Sequence, residues 1–247
     1  MIFTSLLLSL ALGPVPAVFP DDDPAVEEAL DALKSSLKEK EDETAVGTID
    51  RLTVFFRDGG SKDQKKIAKG VGDSFGVTRV PREGDNPDEV FRVYYAASAS
   101  LGQMGDEGVP YLLKGLDQRK FRHEPRLRAA ILAALGTTKS DRAVKPLLDM
   151  LKDKDYDLIA AAADSLGNYD RSPEGLRKTI VEQLVKHLES SANAANPASP
   201  QIDSEARRKY DRIGGPLLAT LGKLAGQDFR DALEWVKWWN DNKKKPW

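Results

Sequence analysis

From Pro24 onward, apolar residues recur at intervals of three and four with polar residues between them, and strand-like alternation is almost absent. That period is the mark of amphipathic helices that each bury one face. It predicts helices over 24–39, 43–57, 61–73, 87–103, 107–117, 124–136, 140–152, 156–168, 173–190, 204–225 and 229–242. In 140–152 the apolar stripe is Val144, Leu147, Leu148 and Leu151. Ends carry Gly, Pro or an Asp/Ser cap; Asp23, with Pro24 at the first helical position, opens the first helix. The run Gly214-Gly215-Pro216 predicts a break inside 204–225. Residues 77–86, carrying Pro81 and Gly84, read as a loop, and 190–203, rich in Ala, Ser, Asn and Pro, as a flexible insertion.

An internal repeat organises these helices. Val93–Gly102, Leu127–Gly136 and Leu158–Gly167 align without gaps. Each begins with an aliphatic residue, carries an Ala pair (Ala96-Ala97, Ala129-Ala130, Ala160-Ala161) and ends in Leu-Gly. A polar turn follows, then a second helix with an aliphatic pair: Leu112-Leu113, Leu147-Leu148, Leu184-Val185. The glycines at 102, 136 and 167 are 34 and 31 residues apart, and Leu221-Gly222 comes 55 residues after Gly167, one repeat lengthened by the insertion. Two short helices cannot bury their apolar stripes alone, so such pairs stack on one another. The small Ala residues allow close helix approach, and each Leu-Gly is expected to end its helix in a left-handed cap.

At these residues a family resemblance emerges. Val144-Lys145-Pro146-Leu147-Leu148-Asp149-Met150-Leu151-Lys152-Asp153, followed by Leu158 to Leu166-Gly167, resembles a bacterial HEAT-like repeat of the PBS-lyase type. In that family the first helix often begins Val-Arg. Leu127-Arg128 matches, whereas Val93-Tyr94 and Leu158-Ile159 lack the Arg from which such repeats often build an Asp–Arg ladder. Leu221 to Phe229, running into Trp235–Asn240, is similar to the end of exported bacterial HEAT-repeat proteins. The resemblance covers residues 90 to 242 well and 24 to 76 loosely. It implies an all-α superhelix, an α-solenoid of helix pairs: 24–76 a divergent helical region, 77–86 a loop, 87–189 repeats and 204–247 a capping repeat. It says little about function, because such repeats host many unrelated roles.

Composition narrows the function classes. A net charge of −2 gives no overall basic footprint, so no nucleic-acid partner is expected. The absence of cysteine excludes disulfides, thiolate metal sites and cysteine nucleophiles. Two histidines, His123 and His187, exclude any three-histidine site within one chain. No cofactor is implied.

The N-terminus adds a location. Ile2–Leu12 is uncharged and mostly apolar, and Gly13, Pro14 and Pro16 break it. Val15 and Ala17 are small residues placed for cleavage after Ala17, so 1–17 reads as a signal peptide and 18–23 as an acidic leader. No basic residue precedes Lys34, unlike the usual positive start of such peptides. The run is also short of the roughly 20 apolar residues that span a bilayer. The expectation is export to the periplasm or beyond, with no transmembrane segment after cleavage.

Three motifs carry candidate chemistry. Gly72-Asp73-Ser74-Phe75-Gly76 matches G-x-S-x-G, but it follows a helical stretch and precedes an extended one, not the strand-to-helix elbow a hydrolase needs. Asp153, Asp155, Asp157 and Asp164 imitate a calcium loop, yet its sixth place holds Leu158 where Gly is required, so helix capping is the better reading. Arg119, Lys120, Arg122, His123, Arg126 and Arg128 cluster about one inter-repeat loop that suits an acidic partner.

Further candidates for partner binding are Lys114 and Lys145 on second helices, where Asp149, Glu182 and Lys186 give mixed charge. On a helical wheel Phe229, Ala232, Leu233 and Val236 share one face and Trp238 points roughly opposite, an exposed interface candidate. Lys243–Lys245 suit the negative end of the last helix dipole. These features predict a non-catalytic protein-binding scaffold. The alternatives are a lyase-like enzyme or accessory subunit, and a polyanion or nucleic-acid binder.

Overall fold

A computed structural model describes residues 21–196 and 204–247. Residues 1–17, where the signal peptide is expected, lie outside these, as do the first half of the acidic leader and the second half of the expected insertion. The described residues form helices and turns without strands. In chain order the α-helices are α1 (Pro24–Glu39), α2 (Asp42–Asp58), α3 (Ser61–Asp73), α4 (Pro87–Val90), α5 (Arg92–Gln103) and α6 (Val109–Leu116). They continue as α7 (Pro125–Thr137), α8 (Asp141–Met150), α9 (Tyr156–Leu166), α10 (Glu174–Ala194), α11 (Ser204–Ala225) and α12 (Ala232–Asn242).

The helices make two layers. Helices α2, α5, α7, α9 and α11 pack successively side by side, and α3, α6, α8, α10 and α12 make the second row. Helix α1 covers the open side of α2 and α3. One apolar cluster runs from Val26 to Trp235 through every layer contact. Burying each Leu or Ile of this cluster is worth about 1.5–3 kcal/mol. Buried polar groups pair across the layers: the Thr53 and Ser100 hydroxyls meet at 2.6 Å between α2 and α5, and Tyr169 donates to the Ser140 carbonyl at 2.9 Å.

Helix starts follow the capping chemistry. Asp23, Ser140 and Asp155 accept from backbone N–H groups two residues on, at 2.9, 3.2 and 2.9 Å. Asp63, buried near the start of α3, accepts from the N–H groups of Asp22 and Asp23 at 3.1 and 3.0 Å and fastens the chain entering α1.

Several expectations are corrected. The helix expected over 87–103 divides at Phe91, whose ring is drawn into the core. Helix α10 runs on to Ala194 with Ser191 buried, so the start of the expected insertion is helical. Helix α11 passes unbroken through Gly214-Gly215-Pro216. A Pro inside a helix costs about 3 kcal/mol. Burial of Ile213, Leu217, Leu221 and Leu224 between α9 and α10 outweighs it. Leu233, expected on the packed face of the last helix, is 80% exposed.

The repeat glycines also act otherwise than expected. Gly102 and Gly136 lie inside α5 and α7, and Gly167 follows α9 with φ −63°, so none adopts a left-handed cap. Each instead meets the next helix of its layer. A Cβ on Gly102 would lie 3.0 Å from the Ala134 carbonyl oxygen, and one on Gly136 2.7 Å from that of Ser165. A Cβ on Gly167 would meet Thr220 at 3.4 Å. At Gly102 and Gly136 the layer is packed against backbone of the next helix, which leaves no room for a Cβ, whereas Gly167 faces the side chains of Lys223 and Thr220.

Candidate partner-binding surface

The loop between α6 and α7 is built around Phe121. Its buried ring packs edge-on against Tyr94 at 4.8 Å and Phe75 at 6.2 Å. Lys120 turns back over the same rings, 5.2 Å from the centre of Tyr94 and 5.0 Å from that of Phe121, and donates to the Val77 carbonyl. Partial burial and the nearby Arg79 guanidinium push its ammonium below the usual lysine value. Lys120 is thus engaged in holding the 77–86 loop to the α6–α7 loop.

With Phe121 buried and Lys120 folded back over its ring, Arg119 and Arg122 are left outward. Both line a cleft of about 460 Å³ whose far wall is Lys152 and Lys154 from the turn between α8 and α9. Among the described residues, none of these four cations has an ion-pair partner. Arg128 in the same cleft does: it pairs with Asp153 at 3.3 Å. Asp153 also accepts from the Asp155 N–H at 2.9 Å, so its charge is committed. The remaining carboxylate in the lining is Asp117. Four exposed like charges in one cleft repel each other, and an anionic group entering it relieves that repulsion.

The other expected residues are distributed differently. Lys114 lines the adjoining cleft, which shares Asp117, Gln118 and Arg119 with the first and has Pro110 and Leu113 in its lining. His123 is exposed on the loop, and Arg126 pairs with Asp88 at 3.5 Å. Lys145 is not part of the cluster; it pairs with Asp149 at 2.5 Å one turn along α8. Glu182 and Lys186 neutralise each other on α10 at 2.7 Å. Lys152 and Lys154 lie outside the basic run of the loop in sequence, one repeat further on. Comparing successive second-to-first-helix turns across repeats is the signal that would have found them.

Trp238 is not the free surface residue that the wheel predicts. Phe229 and Trp235 flank it at 6.4 and 5.6 Å, and Trp247 folds back to cover it at 5.2 Å. The tail is fixed by Arg177, which donates to the Trp247 carbonyl at 3.1 Å and lies 5.3 Å from its ring centre. Lys178 donates to the Lys245 carbonyl at 2.6 Å. Trp235 is fully buried and donates to the Phe229 carbonyl at 3.2 Å.

The two catalytic imitations resolve into structural parts. Ser74 begins a one-turn 3-10 helix after α3 and is fully buried, and among the described residues its hydroxyl has no hydrogen-bond partner that could act as a base. Asp155 caps α9, Asp153 pairs with Arg128, and Asp157 pairs with Arg212.

Comparison with known families agrees with this architecture. Residues 122–196, which span α7 to α10, match HEAT repeats, and residues 93–118, which span α5 and α6, match the PBS lyase HEAT-like repeat. The chain therefore carries HEAT-like repeats, stacked as an all-α solenoid. Repeats of this kind commonly mediate protein interactions and are generally non-catalytic. No match is found among curated proteins. No helix of the described residues is long and apolar enough to cross a membrane.

Proposed function

We propose that this protein is an exported, non-catalytic scaffold that docks a protein partner on the edge formed by its inter-repeat turns. The observation that carries the reading is the convergence of Arg119 and Arg122 with Lys152 and Lys154, unpaired among the described residues, on a rigid helical frame. A stack of this kind works passively: it holds side chains from distant parts of the chain at fixed spacing. Pre-set positions lower the entropy lost on binding. Export rests on the apolar run Ile2–Leu12 and the small residues Val15 and Ala17. The serine version of a lyase-like or hydrolytic alternative is disfavoured, since Ser74 is fully buried and its hydroxyl has no hydrogen-bond partner among the described residues.

The test is a tagged pull-down from native envelope extract, read by mass spectrometry, with the wild type beside an Arg119→Ala/Arg122→Ala variant. The expected result is a protein enriched by the wild type and lost from the variant. Enrichment of nothing above background, or of proteins indifferent to the substitutions, overturns the reading. A shift of DNA at low salt that these substitutions abolish replaces it with polyanion binding.

A further inference from the structure

The basic cleft is one of three that follow each other along the turn edge. The first is lined by Lys38, Lys40 and Arg82 together with Leu37, Val77 and Val80, and Val80 is 72% exposed. Lys120 joins it to the second, because its ammonium is bonded to the Val77 carbonyl while its side chain lines the second cleft. The second cleft offers Pro110 and Leu113 beside Lys114 and Arg119. It shares Arg119 with the third, where Arg122, Lys152 and Lys154 lie.

The linings of the three clefts are richer in cations than in carboxylates. The whole chain is slightly acidic at −2, yet the carboxylates lining the three clefts are Asp117 and Asp153, the latter paired with Arg128. Lys38, Lys40, Arg82 and Lys114 have no ion-pair partner among the described residues, as with the four cations of the third cleft. Exposed cations alone would suit any polyanion. The apolar surface between them is different: Val80, Pro110 and Leu113 give nothing to a phosphate or sugar polymer and would remain wet beneath it.

We infer that the turn edge binds an extended, acidic protein segment in which apolar side chains alternate with Asp or Glu. This deepens the docking reading above and rests on it. The carboxylates meet Lys40, Arg82, Arg119 and Lys154, and the apolar side chains settle against Val80 in the first cleft and Leu113 in the second. An extended segment presents successive side chains on opposite sides, so it reaches the cationic rim and the apolar lining in turn. Long-range attraction speeds encounter, and the apolar contacts set which acidic segment stays.

The experiment measures binding by fluorescence anisotropy with three labelled probes of equal length or charge. They are a dodecapeptide alternating Glu with Leu or Val, an oligoglutamate, and a linear polyphosphate. The expected result is that the alternating peptide binds best and weakens steeply with salt. Arg119→Ala/Arg122→Ala should weaken it by roughly tenfold or more. Val80→Ser should weaken the alternating peptide by a few-fold and leave oligoglutamate unchanged. Equal binding of all three probes, or preference for polyphosphate, overturns the inference. If the pull-down yields an Arg119/Arg122-dependent partner while the alternating peptide fails to bind, the scaffold reading stands and this inference falls.

Discussion

Gly136 of α7 lies so close to Ser165 of α9 that a Cβ on the glycine would come within 2.7 Å of the serine carbonyl oxygen and 2.8 Å of its Cβ. Two effects oppose each other on replacing it. Ala is favoured over Gly in a helix by about 1 kcal/mol. Forcing backbone apart in a packed layer costs about 1–3 kcal/mol or more. Because the obstacle is backbone, the second effect wins, and Gly136→Ala is expected to lower stability in urea unfolding. Gly47, in α2, has nothing within 4 Å of such a Cβ. Gly47→Ala is therefore expected to raise stability by about 0.5–1 kcal/mol. If both substitutions shift stability in the same direction, the close approach is not what Gly136 provides.

The tail should be worth measurable stability. Trp247 packs on Trp238 and Trp239 and is held by Arg177. Its removal in Trp247→Ala is expected to cost about 1–2 kcal/mol by loss of buried apolar area. The tryptophan emission of the folded protein should shift to the red as water reaches Trp238. An unchanged melting temperature and spectrum would mean that the tail does not cover Trp238 in solution.

His187 gives a pH dependence whose sign is fixed. Burial and the positive charges of Lys209 and Lys152 hold its imidazole below the ordinary value of 6.5. The unfolded chain therefore takes up this proton at a higher pH than the folded one. Where the unfolded state binds more protons, stability falls as pH falls. The contribution is present above pH 6.5 and is lost progressively below it. Melting temperatures between pH 7.5 and roughly 5 should fall less in His187→Gln than in wild type. Parallel curves would contradict this placement of the ring.

Lys120 and its neighbours separate structure from binding. Arg119→Ala/Arg122→Ala removes exposed side chains without ion-pair partners among the described residues, and its stability should stay within about 0.5 kcal/mol of wild type. Lys120→Ala breaks the bond to Val77 and the contacts with Tyr94 and Phe121. It should cost about 1–2 kcal/mol and raise hydrogen exchange over residues 77–82. Equal effects of the two variants on stability would show that Lys120 is no more anchored than the arginines.

The helices were legible because their signal is periodic and local, and α1 and α3 have the boundaries that the apolar spacing predicts. The repeat was legible from the same spacing, and its Leu-Gly pairs marked the right residues for a different reason. A glycine that admits a neighbouring backbone and one that turns left-handed look alike in one chain. The continuity of α11 through Pro216 was hidden because burial between two other helices, not local propensity, decides it. The covering of Trp238 was not legible because it comes from Trp247, in a tail that no helical wheel contains. The basic loop was visible as Arg119 and Arg122, but the other two of the four unpaired cations in its cleft, Lys152 and Lys154, come from the turn one repeat further on.

The most direct test of the docking edge is site-specific photocrosslinking in cells of origin, with a photoreactive residue replacing Gln118, which lines the second and third clefts, or Leu233, which is exposed on α12. One crosslinked protein is expected from position 118, disappearing in the Arg119→Ala/Arg122→Ala background and absent from position 233. The same adducts from both positions, or adducts at 118 that survive the arginine substitutions, would contradict docking on this edge.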